Sequence, residues 1–150
     1  MLAVDGSPCL ACEKGKWSDS IAAPSETTCI NCLAGQYNDQ TASTSVDACI
    51  DCGEGRYSTF GEAATSSADC VICRVGAATN VLTGGTSCDD CGIGKYNPHD
   101  EQAFCISCLA GTYLPSTGSV ASTQCLLCEV GKASSVTGVG TSCTDCTPGE

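Results

Sequence analysis

Large apolar side chains are scarce: Leu, Ile, Val and Phe make 25 of 150 residues, about 17%. Combined with a formal net charge of −11, that composition falls where chains usually stay unfolded. A conventional oily core is therefore excluded, and covalent cross-links must hold the chain together. Basic residues are equally few. Six Lys and Arg against 17 Asp and Glu disfavour phosphate binding, so nucleic acid is not an expected partner. No apolar run approaches the length of a membrane span. Met1-Leu2-Ala3-Val4-Asp5 carries neither a basic n-region nor an apolar stretch long enough for a signal peptide, which leads us to expect a segment of a longer secreted protein. There is no Asn-x-Ser/Thr sequon. The one histidine, His99, lies in the loop Asn97-Pro98-His99-Asp100-Glu101, a setting in which histidine is usually just solvated. GxSxG, phosphate-loop and HExxH motifs are absent, so neither an enzyme nor a cofactor or metal is expected.

What the chain does have is cysteine, at about 11% of residues, above the level that marks a disulfide scaffold. All 16 cysteines lie in eight CxxC motifs, starting at Cys9, Cys29, Cys49, Cys70, Cys88, Cys105, Cys125 and Cys143. The steps between them are 20, 20, 21, 18, 17, 20 and 18 residues, so a unit of about 20 residues recurs down the chain. Three places after the second cysteine stands a glycine every time: Gly15, Gly35, Gly55, Gly76, Gly94, Gly111, Gly131 and Gly149. A glycine at a fixed distance from a cross-link marks a turn with positive φ or a close chain approach. Two residues further on, five of the seven complete repeats carry an aromatic: Trp17, Tyr37, Tyr57, Tyr96 and Tyr113. Such a ring is placed to cover the neighbouring disulfide and give each unit a miniature core; a stripe of exposed rings for binding is the other reading. Ala78 and Ala133 replace it in the fourth and seventh units, which resemble each other and hint at a super-period of 55 residues from Cys70 to Cys125.

The rest of each repeat is Ser, Thr, Gly, Ala and Asp, with no 3.6-residue periodicity long enough for a helix. The expected fold is small and disulfide-rich: an elongated tandem array of short β-ribbons and turns with almost no helix. Residues 1–8 form a lead-in, and residues 9–150 the repeats, the last truncated. Each unit is expected to touch mainly its neighbours.

The string C-x-x-C-x-x-G-x-Tyr/Trp, followed by a Ser/Thr-rich loop and another CxxC, resembles the ephrin-receptor-like cysteine-rich repeat. It is also similar to the first half of a TNF-receptor cysteine-rich module. The resemblance runs from Cys9 to the end. It implies pairing of the cysteine before each glycine turn with the next cysteine down the chain: Cys12–Cys29, Cys32–Cys49, Cys52–Cys70, Cys73–Cys88, Cys91–Cys105, Cys108–Cys125 and Cys128–Cys143. Cys9 and Cys146 would then have partners outside the segment. The additional cysteines of a full TNF-receptor module are lacking, which puts ligand binding by that analogy in doubt.

From the residues alone, other uses of the cysteines stay open. A ladder of Cys9–Cys29 with Cys12–Cys32, repeated in four closed pairs of motifs, fits the count. Four intracellular zinc sites of four cysteines each fit the spacing too, although uniform gaps speak against them. A thioredoxin-like redox role would need a βαβ setting that is not visible. Asp89-Asp90 and Asp100-Glu101 lack the alternate carboxylates of a calcium loop and read as a solvated surface. So many cysteines indicate an oxidising, extracellular or cell-surface location. The expected role is structural: a disulfide-stapled rod or spacer within a stalk, matrix or surface filament, for example the hairs on algal flagella. Its partners would be copies of itself or other matrix chains, with O-linked sugars permitted on the Ser and Thr clusters. Ile30, Ile50, Ile106 and Leu126, each following the first cysteine of a motif, are candidates for packing between repeats or within their own unit. The alternative role is a receptor or adhesion ectodomain, with ligand docking where the repeat is least regular, from Arg74 to His99.

Overall fold

A computed structural model of the chain describes residues 10–20, 28–59 and 64–147. Cys9 and Gly149 lie outside the described residues. Fourteen two-residue strands, β1 to β14, pair consecutively into seven antiparallel hairpins, and no α-helix occurs among the described residues. One short 3₁₀ turn precedes each of Cys49, Cys70 and Cys125, at Val46–Ala48, Ser67–Asp69 and Ser122–Gln124. Where no apolar run can build a long strand, two residues of pairing are all that each hairpin sustains.

The local logic is the same in every unit. The residue after the second cysteine opens a four-residue turn, closed for example by the Lys16 N–H donating to the Glu13 carbonyl and the Lys95 N–H to that of Gly92. The repeat glycine takes its third place, with φ between 62° and 84° at Gly15, Gly35, Gly55, Gly76, Gly94, Gly111 and Gly131. That left-handed conformation costs an L-residue roughly 1–2 kcal/mol. The next two residues form the outgoing strand: Lys16–Trp17 (β1), Gln36–Tyr37 (β3), Arg56–Tyr57 (β5), Ala77–Ala78 (β7), Lys95–Tyr96 (β9), Thr112–Tyr113 (β11) and Lys132–Ala133 (β13). The returning strand is the x-x of the next CxxC: Ile30–Asn31 (β2), Ile50–Asp51 (β4), Val71–Ile72 (β6), Asp89–Asp90 (β8), Ile106–Ser107 (β10), Leu126–Leu127 (β12) and Thr144–Asp145 (β14). The hairpin ends where the second cysteine of that motif donates its N–H to the glycine carbonyl, as from Cys32 to Gly15 and from Cys146 to Gly131.

The turn brings the cysteine before it to the cysteine that precedes the returning strand. Disulfides join Cys12 to Cys29, Cys32 to Cys49, Cys52 to Cys70, Cys73 to Cys88, Cys91 to Cys105, Cys108 to Cys125 and Cys128 to Cys143, with Cα–Cα distances of 5.6–5.9 Å. Cys12 is bonded to Cys29 and not to Cys32, so the four-closed-pairs ladder is not the one formed. The fourteen bridged sulfurs are no longer thiolates, which removes them as ligands for an array of four-cysteine zinc sites.

Register also pairs each ring with an aliphatic residue. Trp17 faces Ile30, Tyr37 faces Ile50, Tyr57 faces Val71, Tyr96 faces Ile106 and Tyr113 faces Leu126. In the two units without a ring the facing residue is polar: Ala78 faces Asp89, and Ala133 faces Thr144. Ring and aliphatic residue are thus lost together, as expected for a cross-strand pair that contributes roughly 0.2–1 kcal/mol. Ile30, Ile50, Ile106 and Leu126 are therefore partnered within their own hairpins while remaining about half exposed.

Candidate functional site: the seam between units

The buried centre of the array is a column of backbone and small polar side chains running from unit to unit. In six of the seven units the residue after the ring position lies in it: Ser18, Asn38, Ser58, Thr79, Asn97 and Leu114 are all buried. Its carbonyl accepts the N–H of the turn glycine one unit earlier, as in Gly15 to Asn38, Gly76 to Asn97 and Gly94 to Leu114, at 2.8–2.9 Å. Its own N–H donates forward into the next unit's loop: Ser18 to Ser43, Asn38 to Ala64, Ser58 to Gly85, Asn97 to Ser119 and Leu114 to Val139. The fourth unit departs from this, since Asn80, at φ 61°, makes the forward bond to Ala103.

Sequence reasoning singled out the glycine and the ring and missed this third position. Ser, Asn and Thr there read as loop residues, and the pairing is done by backbone, so no single side-chain type marks it. Asn38 and Asn97 show what a polar side chain adds. The Asn38 Nδ2 donates to the Lys16 carbonyl at 3.0 Å and to Ser43 Oγ at 2.9 Å, and its Oδ1 accepts the Gln40 N–H at 2.9 Å. Asn97 Nδ2 donates to the Ala77 carbonyl at 2.8 Å. Among the described residues no buried side-chain nitrogen or oxygen lacks a partner. Asn38→Ala is expected to destabilise the oxidised chain by about 2 kcal/mol, since three part-buried bonds lose one side. Urea unfolding with the disulfides intact measures this, and a loss below about 0.5 kcal/mol would mean that the side chain contributes nothing to the seam.

A second contact locks the seam, and it reaches beyond adjacent units. In five units the loop turns back through a left-handed residue, Ala42, Gly84, Glu101, Gly118 or Gly138. The N–H of that residue donates to the second cysteine of the preceding unit: Ala42 to Cys12, Gly84 to Cys52, Glu101 to Cys73, Gly118 to Cys91 and Gly138 to Cys108. The same residue lies over the turn glycine two units back. A Cβ on Gly35 would meet the Gly84 carbonyl oxygen at 2.2 Å, and one on Gly94 would meet that of Gly138 at 2.0 Å. The Arg56–Glu101 ion pair spans the same two-unit distance, while a hydrogen bond from Thr83 Oγ1 to Asp51 Oδ2 at 3.3 Å joins adjacent units. Units thus engage their second neighbours as well as their first.

The remaining candidate residues have structural placements. Asp90 pairs with Arg74, Asp89 accepts from Asn80 Nδ2 at 3.2 Å, and Glu101 pairs with Arg56. His99 is exposed, and its backbone N–H donates to Asn97 Oδ1 at 3.3 Å. Asp69 accepts the Thr65 and Ser66 N–H groups and the Thr65 hydroxyl, which hold its carboxyl below the ordinary carboxylate range. Among the described residues no group of three or more His, Cys, Asp or Glu could hold a metal ion. The grooves there are open: one is lined by Ser58, Thr59, Ala64, Thr65, Ala68, Asp69 and Val71, and another by Tyr96, Leu109, Thr112 and Ser122. Cys146 is exposed and unbridged.

Seven stapled hairpins joined by one repeated seam define a disulfide-rich tandem-repeat domain. The family described as tyrosine-protein kinase ephrin type A/B receptor-like matches residues 2–49 and 76–125, about two thirds of the chain. The chain belongs to that family of ephrin-receptor-like cysteine-rich repeats. No curated protein matches it significantly. Repeats of this kind, carrying seven disulfides, belong to an oxidising, extracellular setting. No helix among the described residues is long and apolar enough to cross a membrane.

Proposed function

We propose that the chain is an extracellular spacer, a stapled rod that sets a distance within a stalk, matrix or surface filament such as a flagellar hair. One observation carries the reading: the loops, where a binding module would present its variable contacts, are committed to the seam. From Ala42 to Gly138 they bond back to a cysteine of the preceding unit, and four turn glycines are covered by the loop two units on. Units four and seven keep the same hairpin despite losing the ring. What remains outward is half-exposed aliphatic residues and carboxylates, suited to sister copies or other matrix chains, and Ser and Thr positions open to O-linked sugars.

A second reading, the ectodomain of a receptor or adhesion protein, has its own support. The forward bond shifts to Asn80, within Arg74 to His99, so the seam between units four and five departs from the pattern. Imaging native material with an antibody to this chain separates the two. Labelling along a filament, stalk or wall is the expected result. Isolated membrane-anchored molecules that capture a soluble ligand would overturn the spacer in favour of the ectodomain.

A further inference from the structure

The sulfur bridges open a second, much shorter covalent route through the chain. From Cys12 it crosses to Cys29, runs three residues to Cys32, crosses to Cys49, and continues in the same way to Cys143. Each crossing separates Cα atoms by 5.6–5.9 Å. Each step between crossings is one CxxC motif, at most about 10 Å when fully extended. Strands β2, β4, β6, β8, β10 and β12 lie on this route. The turn glycines, the ring-bearing strands and the Ser/Thr loops all lie inside closed sulfur loops, off it.

We propose that the chain is a tension-bearing tether whose covalent spine of bridges and CxxC steps carries load while the loops are shielded. This rests on the spacer reading and deepens it, from holding a distance to holding it under pull. Seven bridges and six steps limit the separation of Cys12 and Cys143 to about 100 Å, whereas the same stretch without bridges reaches roughly 460 Å. The spine also tolerates damage. A single peptide-bond cut inside a closed loop, for instance between Cys32 and Cys49, leaves both fragments joined through sulfur. Only cuts within a two-residue CxxC step sever it, and those residues are paired in hairpins.

Single-molecule stretching of the oxidised chain between handles at its two ends tests the proposal. The expected extension between Cys12 and Cys143 stays at or below about 100 Å until reductant is added, then rises four- to five-fold in steps of roughly 45–60 Å. The Cys91→Ser/Cys105→Ser double variant is expected to raise the oxidised limit by about 45 Å, the length released by a sequence separation of 14. An oxidised chain that lengthens past about 200 Å, or a double variant no longer than the parent, would overturn the tether. Failure here is distinguishable from failure of the spacer reading. A labelled filament built from a freely extensible chain sinks only the tether; occurrence as isolated receptors sinks the spacer and the tether role with it, whatever length limit the stretching shows.

Discussion

Alanine at Gly94 is expected to cost the oxidised chain several times the stability that alanine at Gly111 costs. The two glycines hold the same place in successive turns, with φ of 77° and 79°. A Cβ in that left-handed conformation costs roughly 1–2 kcal/mol at either position. Their surroundings differ completely. At Gly94 the added carbon would stand 2.0 Å from the Gly138 carbonyl oxygen and 2.4 Å from its carbon, whereas at Gly111 nothing lies within 4 Å. Both atoms met at Gly94 are backbone, so no rotamer change relieves the clash. The strand of loop that would have to move is held by the Gly138 N–H on the Cys108 carbonyl at 2.9 Å. Losing that bond and the packing around it adds about 2 kcal/mol or more. The expected penalties are therefore about 1–2 kcal/mol for Gly111→Ala and about 4 kcal/mol for Gly94→Ala. Urea unfolding of the two variants, each with its bridges verified by peptide mass, decides the matter. Equal losses would show that contact between second neighbours contributes nothing to stability.

Complete reduction is expected to abolish the fold of all seven units. The closed loops have sequence separations of 14 to 18 residues. Each bridge removes roughly 3 kcal/mol of freedom from the denatured chain, about 20 kcal/mol for the set. An ordinary domain is stable by only about 5–15 kcal/mol, so nothing left after reduction can compensate. Two-residue hairpins do not persist alone in water. The protected glycine amides report the change. The N–H groups of Gly15, Gly35, Gly76 and Gly94, bonded across the seam, should exchange at open-chain rates once thiol reductant is added. A metal chelator without reductant should leave them protected. Retained protection in the reduced chain, or its loss to chelator alone, would defeat the view that sulfur takes the place of an apolar interior.

How much of this was visible in the residues depends on whether a feature is local. The turn glycine is local: its conformation follows from closing four residues onto themselves, and it recurs at Gly15, Gly35 and their successors whatever surrounds it. The ring at Trp17 or Tyr37 was visible as a recurring residue type, but its aliphatic partner in the next motif emerges only with the register. Spacing left two sulfur ladders open, because both place a CxxC within reach of another. The hairpin chooses between them by bringing Cys12 and Cys29 to 5.6 Å. The seam was hidden for a different reason. Its carriers are main-chain N–H and carbonyl groups, which every residue possesses, so Ser18, Asn38, Ser58 and Leu114 share a role without sharing chemistry. The left-handed loop residue was obscured too, since Ala42 and Glu101 take the place that Gly84, Gly118 and Gly138 hold elsewhere.

The amino-acid order alone was enough to establish a repeating unit, its glycine turn, its dependence on cross-linking and its lack of an oily core, because each of these follows from composition or from spacing within about 20 residues. The burial of small polar residues and the reach of each loop to the unit two before it came only with the folded array. Those features arise from main-chain groups of separate units meeting in space, and nothing in the side-chain pattern records where the main chain will meet.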